Sequence, residues 1–168
     1  MPWTFAHPAA VLPLRSLFRS RLSFGALTVG SMTPDIGYYI GCFAIATSAH
    51  TLLGIVTLCL PFGLALLAII RVLHEPVAGL LPFPHRQHLL SLPVLQKIAT
   101  PVALGYASIG VVIGATTHVA WDSFTHRTGY LVLRWPILQT PMFSLGSRSF
   151  RLFGPREPVI PFADGVSD

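Results

Sequence analysis

Charge is what this sequence has least of. Only 10% of its 168 residues are Asp, Glu, Lys or Arg, against roughly 25% in soluble domains. A soluble chain this short exposes much of its surface, and this one has too few charges to wet it. Apolar residues make up 52% and the mean hydropathy is +0.66, so a bilayer is the solvent that suits it. Cysteine is also scarce. Cys42 and Cys59 lie in apolar sequence with no CxxC pair, which argues against a disulfide framework or a zinc finger. No GxSxG elbow, P-loop or dinucleotide fingerprint occurs. Ser123 and Thr125 flank Asp122, but residues this close on a helix do not make a nucleophile–base pair. The net charge of +5 comes from Lys and Arg that flank apolar runs, as at lipid headgroups. They form no stripe interleaved with exposed aromatics, so no nucleic-acid partner is expected. A signal-peptide layout is missing as well, and the N-terminus is expected to be retained.

Long uncharged runs are what the sequence does have. No formal charge falls between Ile36 and Ile70, or between Ile98 and Trp121. A helix needs about 20 mainly apolar residues to cross the hydrocarbon core, and His50–Leu73 and Ile98–Trp121 both meet that length. Ser48 is placed to cap the first and Pro61 to kink it. Thr100–Pro101 resets the second, and Gly110 with Gly114 forms a GxxxG that permits close helix approach. The proline-rich stretch Glu75–Pro93 reads as the loop between the spans, with His74, His85 and His88 solvated there. Before the spans, apolar residues from Val11 to Leu22 alternate with Arg15, Arg19 and Arg21 in amphipathic spacing. Leu22–Met32 reads as a half-span or re-entrant helix that ends at a Thr33 cap, with Pro34 at the first helical position. The expected fold is all-α: an integral membrane helical bundle with two firm spans and one or two short N-terminal interfacial or re-entrant helices. Residues 1–143 form the membrane domain and residues 144–168 a polar, disordered tail.

The polar residues that interrupt this sequence are spaced suggestively. His118 and Asp122 are four apart and share one helical face, and His126 continues that face. An imidazole beside a carboxylate suits a divalent cation such as zinc. If the spans are antiparallel, His50 opens the first at the same membrane face where His118 and Asp122 close the second. His7 and Asp35 join them if Leu22–Met32 does not fully cross. Each residue also has a plainer reading: an interfacial histidine is an ordinary amphipathic residue, Asp122 can anchor its helix end, and Asp35 suits a first turn as a dipole partner. Carboxylates in or near spans are rare and tend to be functional.

The stretches "MPWTFAHPAAVLPL", "GSMTPDIGYY", "HTLLG" and "HVAWDSFTH", in that order, resemble an uncharacterised bacterial family of small membrane proteins, domain-of-unknown-function family 4184, over roughly Met1 to Phe143. That family is distantly similar to membrane-bound metal-dependent hydrolases, which carry a comparable His, "PD", His and HxxxD series, and more distantly to the helical domain of zinc-dependent phospholipase C. The resemblance implies that His7, Asp35, His50, His118 and Asp122 are metal ligands and that the chain resides in a bacterial inner membrane. Family members continue past the equivalent of Phe143 into a further apolar span, where this chain turns polar.

The expectation is therefore a zinc-dependent hydrolase at the membrane surface. His7, His50 and His118 would supply nitrogen, and Asp35 and Asp122 would supply oxygen or act as general base. Its partners would be membrane lipid and a lipid-linked phosphoester. The alternative is a non-catalytic membrane protein with a structural metal site or a polar packing network. Arg15, Arg19, Arg21 and the tail arginines assigned to the site end, against Arg71, Arg86 and Lys97 at the loop end, would place the site in the cytoplasm.

Overall fold

The computed structural model describes residues 7–17, 22–91, 100–126, 129–135, 137, 141–145 and 148–151. It divides into two compact units, Met1–Val119 and Ala120–Asp168. Among the described residues the regular elements are helices apart from one two-stranded hairpin.

The first unit opens with α1 (His7–Ala10), α2 (Leu12–Leu17) and α3 (Phe24–Gly30). A 3-10 turn, Thr33–Asp35, leads into α4 (Ile36–Tyr39), and α5 (Phe43–Ala49) follows. The N-terminal helices are thus more numerous and shorter than expected. Thr33 does not cap the helix that follows it. Its hydroxyl donates backwards to the Gly30 carbonyl at 2.7 Å, occupying an acceptor that the end of α3 leaves over.

The first long rod runs from Leu52 to Gly79 over 28 residues. It comprises α6 (Leu52–Gly54), a π-helical turn (Ile55–Cys59) and α7 (Leu60–Gly79). Its cap is Thr51 rather than Ser48: the Thr51 hydroxyl accepts from the Gly54 backbone N–H at 3.0 Å. The π turn ends just ahead of Pro61. A proline ring crowds the carbonyl four residues back, and a widened turn is a common way to accommodate that. The rod also continues past the expected exit, through Glu75 and Pro76 to Gly79. The expected loop then forms a helix of its own, α8 (His85–Ser91). His74 is not merely solvated, because its Nε2 lies 2.8 Å from the Leu89 carbonyl and ties α8 back to the rod.

The second long helix, α9, spans Pro101–Thr125. Thr100 caps it, accepting from the Ala103 N–H at 3.1 Å, with Pro101 at the first position as the sequence predicts. The rod and α9 are antiparallel. Leu67 shares a cluster with Ala107 and Val111, while Ile55 and Cys59 share one with Ala115. α3 runs parallel to α9 in the groove made by the GxxxG. A Cβ on Gly110 would come within 2.8 Å of the Ala26 Cβ, and one on Gly114 would overlap the Leu27 carbonyl oxygen.

Both long helices are long and apolar enough to cross a membrane. Only 28% of the most apolar window of the rod is buried, whereas the core helix of a soluble protein would be mostly covered. Leu52, Leu53, Val56 and Val72 are all more than half exposed on it.

In the second unit, α10 (Tyr130–Arg134) is followed by the antiparallel strands β1 (Pro141–Leu145) and β2 (Arg148–Arg151), which pair Phe143 with Phe150 and Ser144 with Ser149. This hairpin occupies the start of the tail expected to be disordered from residue 144. Alternating Phe, Leu and Ser residues fit a pleated ribbon, a signal that the surrounding Gly and Arg residues mask. Residues 152–168 of that tail lie outside the described ones.

Candidate metal centre

Two short helices and a tight corner bring the first pair of residues together. Asp35 ends the 3-10 turn that feeds α4, and His50 follows the last residue of α5. Between them, Gly41 has φ +72°, a left-handed conformation that glycine adopts without steric cost. The Cys42 N–H donates to Gly37 O at 2.7 Å and the Gly41 N–H to Tyr38 O at 3.3 Å, the two bonds of a Schellman end. The chain therefore doubles back, and Asp35 Oδ1 lies 3.6 Å from His50 Nε2.

His118 arrives from α9. It is fully buried, and its Nε2 is 3.5 Å from the same Asp35 oxygen. His7 opens α1 and stacks on His118, with ring centroids 3.7 Å apart and planes 26° from parallel. His50 meets His118 edge-on at 5.3 Å. His7, Asp35 and His118 each offer a ligand atom, all within 4.8 Å of one another. His7 and Asp35 reach this end together because the chain leaves it through α1 and returns through α3.

Backbone carbonyls orient the rings. His118 Nδ1 lies 2.7 Å from Ser31 O, and His50 Nδ1 lies 2.7 Å from Ala46 O. A carbonyl oxygen only accepts, so Nδ1 carries the proton in both rings. In the neutral imidazole that leaves the Nε2 lone pair facing Asp35. Two lone pairs directed at a carboxylate oxygen are mutually repulsive unless a positive charge, a ring proton or a metal ion, lies among them. Charge-assisted hydrogen bonds close to about 2.7–2.9 Å, whereas ligand atoms at the corners of a zinc tetrahedron stand roughly 3.3 Å apart, given Zn–N bonds near 2.0–2.1 Å. Separations of 3.5 and 3.6 Å match the second spacing better. An imidazole held by a backbone carbonyl through its remote nitrogen is also the usual second shell of a metal-bound histidine. The donor set thus fits a divalent cation such as zinc. Side-chain exposure is zero at His118, 10% at Asp35 and 23% at His50, so the cluster opens to its surroundings on the His50 side.

Four of the five residues singled out in the sequence belong to the first unit and converge within it: His7, Asp35, His50 and His118. Asp122 falls in the second unit, one turn beyond His118 along α9 and on the same helical face. There it lies 3.3 Å from His126 Nδ1. The Ser31 and Ala46 carbonyls carry no signal in the sequence, since any residue type supplies a backbone oxygen.

No curated protein and no solved structure matches the chain. Its sequence matches a family over residues 1–153, which takes in α1 through the hairpin and every residue named above. The chain belongs to that family, described as Domain of unknown function (DUF4184).

Proposed function

We propose that this is an integral membrane protein whose His7–Asp35–His50–His118 cluster holds a zinc ion and hydrolyses a phosphoester of a lipid or lipid-linked compound. One observation carries the reading: Asp35 Oδ1 is faced by Nε2 of both His50 and His118, each ring fixed by a 2.7 Å bond from Nδ1 to a backbone carbonyl. Zinc at such a centre would supply a Lewis acid and activate water near neutral pH. The imidazoles would hold the ion. Asp35 would balance its charge, and Asp122, which helical spacing places on the His118 face, would take the proton from the attacking water. Substrate would enter beside His50, the most exposed member of the cluster. The apolar exposed faces of the two long helices support the choice of an amphiphile over a water-soluble ester.

A second reading has an observation of its own. His118 is wholly buried and His7 nearly so, as in a structural metal site, which is closed by four protein ligands. A metal-dependent phosphodiesterase assay in mixed micelles separates the two. The hydrolase reading expects turnover by the zinc-loaded wild type and its loss in Asp122→Asn with zinc retained. Zinc retention without turnover of any phosphoester, lipid-linked substrates included, would leave the structural role.

A further inference from the structure

We infer that the cluster is entered sideways, from within one leaflet of the membrane. A leaflet amphiphile lies along exposed apolar side chains of the α4–α5 corner and the first turns of the rod, and presents its phosphate to His50. The inference rests on reading the cluster as a phosphoester hydrolase and the rod as a membrane span.

Charge along the rod sets its depth. No formal charge falls between Ile36 and Ile70, and Arg71 is the first after Asp35. Arg71 follows Leu52 by nineteen residues, about 28 Å at 1.5 Å per residue and close to the roughly 30 Å of a hydrocarbon core. With Arg71 at one boundary, Leu52 stands at the other. The end of α5 does not project beyond that boundary. The Cys59 thiol donates to the Ala49 carbonyl at 3.5 Å, and a Cβ on Gly54 would overlap the Ser48 carbonyl oxygen. Ser48 and Ala49 therefore lie against the first two turns of the rod, and His50 follows them directly. The cluster is level with the phosphates and first chain carbons of a leaflet, not raised into water.

Side chains on either side of His50 suit lipid chains. Tyr39, Ile40 and Phe43 on the corner before it, and Leu52, Leu53 and Val56 on the rod after it, are each more than half exposed. Aromatic contacts lead from the corner to the centre. Ring centroids are 5.9 Å apart for Phe43 and Tyr38, 6.1 Å for Tyr38 and His50, and 5.3 Å for His50 and His118. Tyrosine suits the headgroup level, where its ring is buried and its hydroxyl wet. A partner helix covers a narrow apolar seam. Adjacent Leu52 and Leu53 point about 100° apart, and the corner adds a second exposed surface, an extent that fluid lipid covers and one helix does not. A water-soluble phosphoester gains nothing from these side chains, so the substrate class is a leaflet-resident phosphoester with at least one long chain.

Photolabelling of the wild-type protein in phosphatidylcholine nanodiscs tests this. With a diazirine near the ester end of one acyl chain, peptide mapping should find label on residues 39–43 and 52–56 alike. A diazirine in the headgroup should label His50. A diazirine at the chain terminus should label the rod around Phe62, near mid-membrane, with loss of label on the corner. Label missing from residues 39–43 with the ester-end probe, headgroup label missing from His50, or equal labelling of the corner at all three depths would each overturn lateral entry. A corner that no probe reaches because a second copy covers it gives the first of these results. Recovery of the protein in the soluble fraction would overturn the spanning reading beneath it. The readout needs neither zinc nor turnover, so the two readings fail separately. An unlabelled corner beside zinc-dependent turnover would sink the entry route alone, whereas a labelled corner and His50 without turnover of any phosphoester would sink the hydrolase and leave the lipid contact standing.

Discussion

Gly114 sits where the fold and the candidate centre meet, and replacing it with alanine tests both. A Cβ at that position would overlap the Leu27 carbonyl oxygen and approach the Ser31 nitrogen to 2.8 Å and the Gly30 carbonyl carbon to 3.0 Å. All three are backbone atoms of one short segment, so α3 must move away as a body. Crowding of this kind costs about 1–3 kcal/mol. The movement also pulls the Ser31 carbonyl from His118 Nδ1, now 2.7 Å away, and a buried imidazole that loses such a bond costs about 1–3 kcal/mol more. Alanine returns about 1 kcal/mol of helix propensity. The net loss is about 1–5 kcal/mol, and loosening the shell that orients His118 should lower zinc affinity about 10–100-fold. Gly105 is the control on the same helix, because a Cβ there meets nothing within 4 Å. Gly105→Ala should be neutral or stabilising by up to about 1 kcal/mol, with unchanged zinc affinity. Denaturant unfolding in micelles, followed by circular dichroism, and competitive zinc titration measure both quantities. Equal behaviour of the two variants in both assays would refute the packing of α3 on the GxxxG and its link to the centre.

Other perturbations have distinct expected outcomes. Thr51→Val removes the hydroxyl that caps the rod and should cost about 1 kcal/mol, visible as faster hydrogen exchange at Gly54. His74→Ala breaks the tie to Leu89, so exchange in His85–Ser91 should quicken while zinc content stays constant; loss of zinc would contradict the separation of the two ends. Ala65→Asp places a charge on an exposed position in mid-rod. If the rod spans a membrane this costs about 2.5–3.5 kcal/mol of insertion, whereas on a soluble surface it would stay within about 0.5 kcal/mol. A glycosylation or insertion assay distinguishes these outcomes.

Residues with strong local chemistry were the most legible in the sequence. Two uncharged runs gave both long helices, and Thr100–Pro101 marked the start of one almost to the residue. The cluster was legible because imidazoles and carboxylates stand out in apolar sequence, and antiparallel spans bring residues at 50 and 118 to one end by topology alone. What escaped depended on tertiary packing. Ser48 and Thr51 are equally plausible caps by type, and only the corner at Gly41 decides that α5 stops at Ala49. Pro76 reads as a helix breaker, yet the rod absorbs it. The course of the chain before Asp35 could not be read, since a seven-residue helix such as α3 carries too little periodicity to reveal that it runs down the α9 groove.

The central claim is that one cation is shared by Asp35 and the histidines facing it. Elemental analysis of detergent-purified protein addresses it most directly, comparing wild type with Asp35→Asn, a nearly isosteric change that leaves the packing of His118 in place. The account predicts close to one zinc ion per wild-type chain and a sharp loss in the variant at unchanged helicity. Wild-type protein that carries no metal after zinc loading, or a variant that retains as much as the wild type, would contradict it.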